Sequence, residues 1–123
     1  MSQHILLVED EVDLRELYGQ LLMLSGYDTH IVSDAETALT TLHNCSVDLV
    51  LTDWYLPGMM GDALLLDVQK SYPTIKTILM SSHADVYEAA KRCHASGGIQ
   101  KGDLNRLREL IDAVLRPSVQ AFC

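Results

Sequence analysis

Glu9, Asp10 and Asp53 stand directly after two short apolar runs, Ile5-Leu6-Leu7-Val8 and Val47-Asp48-Leu49-Val50-Leu51-Thr52. Branched apolar runs without alternation are the pattern of strands buried on both faces of a parallel sheet. The carboxylates therefore end two strands, and like charges that meet there repel unless one keeps its proton or a cation joins them. Oxygen-only ligands suit a hard divalent ion, Mg2+ above the softer metals. A carboxylate in such a place can also attack a phosphoryl group and become an aspartyl phosphate. That transfer asks chiefly for positive charge and hydrogen-bond donors around the moving oxygens. The chain offers both at two further strand ends, where Ser81-Ser82 and Lys101 stand.

The elements that must position these residues alternate between strand and helix patterns. After the first strand, Val12, Leu14, Leu17, Tyr18, Leu21, Leu22 and Leu24 recur at helical spacing, and Gly26 sits where a left-handed C-cap belongs. Residues 27–32 alternate polar and apolar, which suits an edge strand. Ser33-Asp34-Ala35-Glu36 predicts a capping box opening a helix to about His43. A third helix is predicted from Gly61-Asp62 to Lys70, a fourth strand from Ile75 to Met80, and a fourth helix from Ala84 to Ala95 with Val86, Ala89, Ala90 and Cys93 on its apolar face. Gly98-Ile99-Gln100 makes a short strand weakened by glycine. Asp103 caps a last helix carrying Leu104, Leu107, Ile111 and Val114 on one side.

Five βα units give an α/β, flavodoxin-like doubly wound (βα)5 fold with a five-stranded parallel sheet. Order 2-1-3-4-5 puts the alternating second strand and the poor fifth at the edges, and opens a crevice between strands one and three, where Glu9, Asp10 and Asp53 converge. One domain over residues 1–116 is expected, with 117–123 as a short tail and no output domain.

A net charge of −8 and a pI of about 4.8 argue against direct nucleic-acid binding, which draws on positive charge facing phosphates. Apolar runs are too short to span a bilayer and no signal-like start is present, so a cytoplasmic protein without membrane contact is expected. Cys45, Cys93 and Cys123 are odd in number and lack metal spacing, which fits reduced thiols. The histidines read as surface residues, with His83 kept open because it follows the Ser81-Ser82 strand end.

Leu7-Val8-Glu9-Asp10-Glu11, the segment Leu51 to Gly61, Met80-Ser81-Ser82-His83-Ala84 and Ile99-Gln100-Lys101 together resemble the receiver domains of bacterial two-component response regulators. The resemblance implies Asp53 as phosphoacceptor. It implies Glu9 and Asp10 as holders of Mg2+, directly or through water, with Asp53 and the main-chain carbonyl of Tyr55. Ser81 matches the switch hydroxyl and Lys101 the lysine that pairs with a phosphoryl oxygen. A histidine kinase or histidine phosphotransfer protein is the implied donor, a downstream protein a possible target, and a monomer or weak dimer the expected state. Tyr55 and His83 stand where the family shapes water access to the acyl phosphate.

Two positions depart from the family pattern. Gly98 replaces the aromatic residue whose ring usually answers the switch hydroxyl, and Gly102 replaces a proline that is often cis. A non-proline cis bond costs about 2.5–4 kcal/mol, so a trans Lys101-Gly102 bond is expected. Gly97, Gly98 and Gly102 predict a soft fifth strand and exit loop that could loosen Lys101.

The expected function is a phosphorylation-dependent switch or phosphoryl shuttle, with slow self-dephosphorylation and no turnover activity. The alternative is a degenerate receiver serving as a scaffold independent of phosphorylation. An aspartate-nucleophile phosphatase would want an acid at position 55, where Tyr55 stands. A flavodoxin-like cofactor site would want a phosphate cradle where the acidic loop lies.

Overall fold

The computed structural model describes residues 2–116; the predicted tail at 117–123, with Cys123, lies outside the described residues. Strand and helix alternate as β1 (His4–Val8), α1 (Val12–Leu24), β2 (Asp28–Val32), α2 (Ala35–Asn44), β3 (Leu49–Asp53), α3 (Gly61–Ser71), β4 (Lys76–Ser81), α4 (Val86–Arg92), β5 (Gly97–Gln100) and α5 (Leu104–Leu115). The strands form one parallel sheet in the order β2-β1-β3-β4-β5. That is the expected fold.

Strand parity explains the unbroken apolar runs. Leu6, Val8, Val50 and Leu79 face one side, against Ala38 and Leu42 of α2, Leu64, Leu65 and Val68 of α3, and Val86, Ala89 and Ala90 of α4. Ile5, Leu7, Leu49, Leu51, Ile78 and Met80 face the other, against Tyr18 and Leu22 of α1 and Leu107 and Ile111 of α5. Both parities are buried, so both are mainly apolar. Each fully buried Leu or Ile stabilises the fold by about 1.5–3 kcal/mol. At the far end of the α5 layer, the buried Tyr27 hydroxyl donates to the Asp112 carboxylate and ties the last helix to the start of β2.

Register sets the strand ends level. Val8 lies beside Thr52 and Asp53 beside Met80, and Ser81 lies beside Gln100. The next residues on β1 and β5 are therefore Glu9 and Lys101, so Glu9, Asp53, Ser81 and Lys101 emerge from one end of the sheet.

Several local expectations need correction. The cap of α2 is Asp34, whose carboxylate accepts from the Thr37 N–H at 2.8 Å; Ser33 with Glu36 does not form the box. Asp34 places its acceptor one residue nearer the first turn, and its carboxyl is held below the usual range chiefly by that bond. Helix α4 is shorter than predicted because His94 takes a left-handed φ of 58° and ends it. On α1, Tyr18 and Leu22 are buried while Val12, Leu17 and Leu24 are exposed; one helix face cannot carry every apolar residue in the segment. Gly26 does adopt a positive φ after α1, and Asp103 does cap α5 through bonds to Asn105 and Arg106.

The two glycines within the fifth strand lie against helices, Gly97 against Leu110 and Gly98 against Ala90. A Cβ placed on Gly98 would lie 2.7 Å from the Ala90 Cβ and 3.2 Å from the Val86 carbonyl oxygen. Helix α4 has settled onto the bare backbone of β5, in the space a ring would need. No cis peptide occurs among the described residues, and Gly102 follows Lys101 with φ 134°. We expect Gly98→Ala to cost about 1–3 kcal/mol through overpacking. A denaturation midpoint unchanged from wild type would show that α4 is not held this closely.

Candidate functional site

The ends of four strands build the site. Glu9 leaves β1 and is almost fully buried, Asp53 ends β3 and is 7% exposed, and Asp10 is exposed at the rim. Carboxylate oxygens of these residues lie within 4.8 Å of one another. Lys101 reaches in from the end of β5, with Nζ 2.7 Å from Glu9 Oε1 and 3.3 Å from Asp53 Oδ1. The Gly102 loop therefore does not displace the lysine. Ser81, buried at the end of β4, has its main-chain carbonyl bonded to the Lys101 N–H at 2.8 Å. The sheet brings together Glu9, Asp10, Asp53, Ser81 and Lys101.

The electrostatics follow from burial against pairing. Burial raises the Glu9 carboxyl above its ordinary pKa, opposed by the hydrogen bonds from Lys101 and from the Glu11 N–H. Burial likewise raises Asp53, opposed by the Lys101 charge and reinforced by Asp10. For Lys101, burial works to lower the pKa, but the bond to Glu9 and the charge of Asp53 outweigh it, so the ammonium is held above its usual range. Three carboxylates against one ammonium leave two uncompensated negative charges when all are ionised. A divalent cation matches that deficit in both charge and ligand type.

Reasoning from the sequence missed two residues that hold this arrangement. Arg15, one turn into α1, donates Nη1 to the carbonyls of Glu9 at 3.0 Å and Asp10 at 3.2 Å. It holds the acidic loop through main-chain carbonyls and not through the carboxylates. The available signal was its spacing, since a long cation in the first helical turn can fold back over the loop that enters it. Gly61 lets α3 begin against the Asp53 segment: its N–H donates to the Trp54 carbonyl at 2.7 Å, and a Cβ there would sit 2.0 Å from the Asp53 carbonyl oxygen.

Tyr55 and His83 do meet. Their rings stand edge to face with centroids 5.5 Å apart, and Trp54 stacks on Tyr55 at 4.9 Å. Tyr55 is 48% exposed, so this aromatic row lies beside the site with one face in water. Gly98 stands outside the cluster, under α4.

The raised carboxyl pKa values have a sign that can be tested. Glu9 and Asp53 bind protons more tightly folded than unfolded, so their contribution to stability is largest below the ordinary carboxylate range and is lost as pH rises toward neutral. We expect metal-free Asp53→Asn to be more stable than wild type near neutral pH. The gap should close on acidification, and Mg2+ should stabilise wild type more than the variant. Thermal melts at two pH values, with and without Mg2+, check this; a variant less stable under all conditions would show that the Lys101 pairing outweighs the repulsion.

The chain matches the response regulator receiver domain over residues 5–112. It is 33% identical over 116 residues to the response regulator protein FleR of Pseudomonas aeruginosa, covering 94% of this chain and 24% of that protein. It thus spans about a quarter of that relative's length. Among solved structures it is similar to a CheY-like response regulator receiver domain protein from Methanospirillum hungatei, with TM-score 0.88, 27% identity and coverage of 98% and 99% of the two chains. The receiver domain of NtrX from Brucella abortus gives TM-score 0.84 at 32% identity, covering 93% and 99%. Receiver domains are phosphorylation-dependent signalling switches of two-component systems that bind Mg2+ in an acidic pocket and interact with histidine kinases or phosphotransfer proteins. A family match across most of the chain, a sheet in that family's strand order and an acidic cluster at its carboxyl end identify this chain as a member of the response regulator receiver domain family.

Proposed function

We propose that this chain accepts a phosphoryl group from a phosphohistidine partner onto Asp53 and signals through the change that follows. The observation that carries the reading is Lys101 reaching between Glu9 and Asp53 beside a carboxylate cluster short of positive charge. An Asp53 Oδ attacks phosphorus as the P–N bond to the donor imidazole breaks, and the imidazole nitrogen takes its proton from solvent. The product is an acyl phosphate.

Each neighbour has a task in that transfer. The Lys101 ammonium exchanges its contact with Asp53 for a phosphoryl oxygen, and the buried Ser81 hydroxyl donates to another. Glu9, Asp10, Asp53 and the Tyr55 main-chain carbonyl would hold Mg2+. When bound, the ion supplies charge neutralisation for the carboxylates and the phosphoryl oxygens. Arg15 keeps the acidic loop in register by its grip on the Glu9 and Asp10 carbonyls. The Tyr55–His83 ring pair limits water at the acyl phosphate, so it sets how long the signal lasts.

A scaffold that works without phosphorylation is favoured by one observation, the absence of a ring or room for one at position 98. Intact mass after incubation with Mg2+ and acetyl phosphate separates the two readings. We expect wild type to gain one phosphoryl group, and Asp53→Asn or removal of Mg2+ to abolish the gain. No gain under conditions that label another receiver would favour the scaffold. We further expect Tyr55→Ala to shorten the phosphoryl lifetime severalfold, followed as loss of the added mass; an unchanged decay would remove the ring pair from this role.

A further inference from the structure

One peptide unit beside the site is held at both ends. The Ser82–His83 peptide donates its N–H to Ser81 Oγ at 3.2 Å, and its carbonyl accepts from the Gln100 side-chain amide at 2.9 Å. The main-chain N–H of Gln100 donates in turn to the Tyr87 hydroxyl of α4 at 3.2 Å. The register that pairs Ser81 with Gln100 makes this possible, because it sets the two strand ends level. In a trans peptide the N–H and C=O point in opposite directions across one rigid plane. The plane cannot turn toward a new partner at one end without leaving its partner at the other.

We infer that Gln100 is a positioning residue for the Ser81 hydroxyl, acting through the Ser82–His83 peptide, and that Tyr87 anchors Gln100 from α4. The inference rests on the reading that Ser81 donates to a phosphoryl oxygen on Asp53. Accepting from the His83 N–H occupies one lone pair of Ser81 Oγ and leaves its hydrogen free for that donation. Ser81 is buried, so a hydroxyl without this restraint would turn to whatever carbonyl is near. Gln100 lies on an exposed position of β5 and would gain little by fixing its side chain unless the amide holds the peptide. Coupling of this kind is reciprocal: whatever orients Ser81 tightens Gln100, and so reports to Tyr87 on the surface of α4. The route runs where the missing ring at position 98 cannot.

The test uses Trp54, next to Asp53, as a fluorescent reporter, and beryllofluoride with Mg2+ as a phosphoryl mimic. Gln100→Met keeps the side-chain length and removes the donor. We expect it to weaken beryllofluoride binding roughly fivefold, the effect of one net hydrogen bond, with affinity for Mg2+ alone unchanged. In a Ser81→Ala background the same substitution should cause no further loss. Tyr87→Phe should weaken binding in the same direction, and only while Gln100 is present. Losses that add independently of Ser81, or an equal fall in Mg2+ affinity, would overturn the inference. Failure of wild type to bind beryllofluoride at all would overturn the functional reading and this inference with it, whereas binding with additive losses removes the relay alone.

Discussion

The contact on which the rest of this structure depends is the Lys101 ammonium between Glu9 and Asp53. β5 lies two places from β3 in the sheet, which is about 10 Å at ordinary strand spacing. Only a long, unbranched cation can cross the end of β4 and still touch both acids. Removing the ammonium would leave two buried carboxylates uncompensated, a loss of about 3–5 kcal/mol. The order of the strands, the level register of their ends and the identity of residue 101 are therefore one constraint.

That constraint is only partly satisfied by the protein itself. Burial pushes both acids toward their protonated forms, and the single lysine cannot balance three carboxylates. A divalent cation bound among the three carboxylates would relieve that repulsion. The repulsion falls on strand ends and on a loop whose main chain Arg15 bonds.

Much of this was legible in the sequence because the governing signals are local. Two-sided burial reads as the unbroken runs of β1 and β3, and a chemical site at strand ends reads as Glu9-Asp10, Asp53, Ser81 and Lys101. What was not legible depends on distance between elements. The glycine at 98 looks like a weakness in the sequence and is a contact surface in the fold, since nothing local says that Ala90 and Val86 will press on it. Arg15 and Gln100 escaped for a related reason: both act by bonding main-chain carbonyls, and a carbonyl leaves no mark in composition or spacing. On α1, surplus apolar residues such as Leu24 and Val12 hid which face packs on the sheet.

Replacing an aromatic ring by glycine moves the burden of communication from side-chain packing to the main chain. A ring that changes pockets displaces volume, and a close-packed interior transmits such a change over several residues. A hydrogen-bonded peptide plane displaces almost none. It can transmit only along its own bonds, which here link Ser81 through Ser82–His83 to Gln100 and Tyr87. The helix α4 that lies close on Gly98 also carries Tyr87, whose hydroxyl accepts from the Gln100 N–H. A receiver built this way should present its signal as a local change at the start of α4 and the end of β5, leaving the two cores on either side of the sheet unaltered.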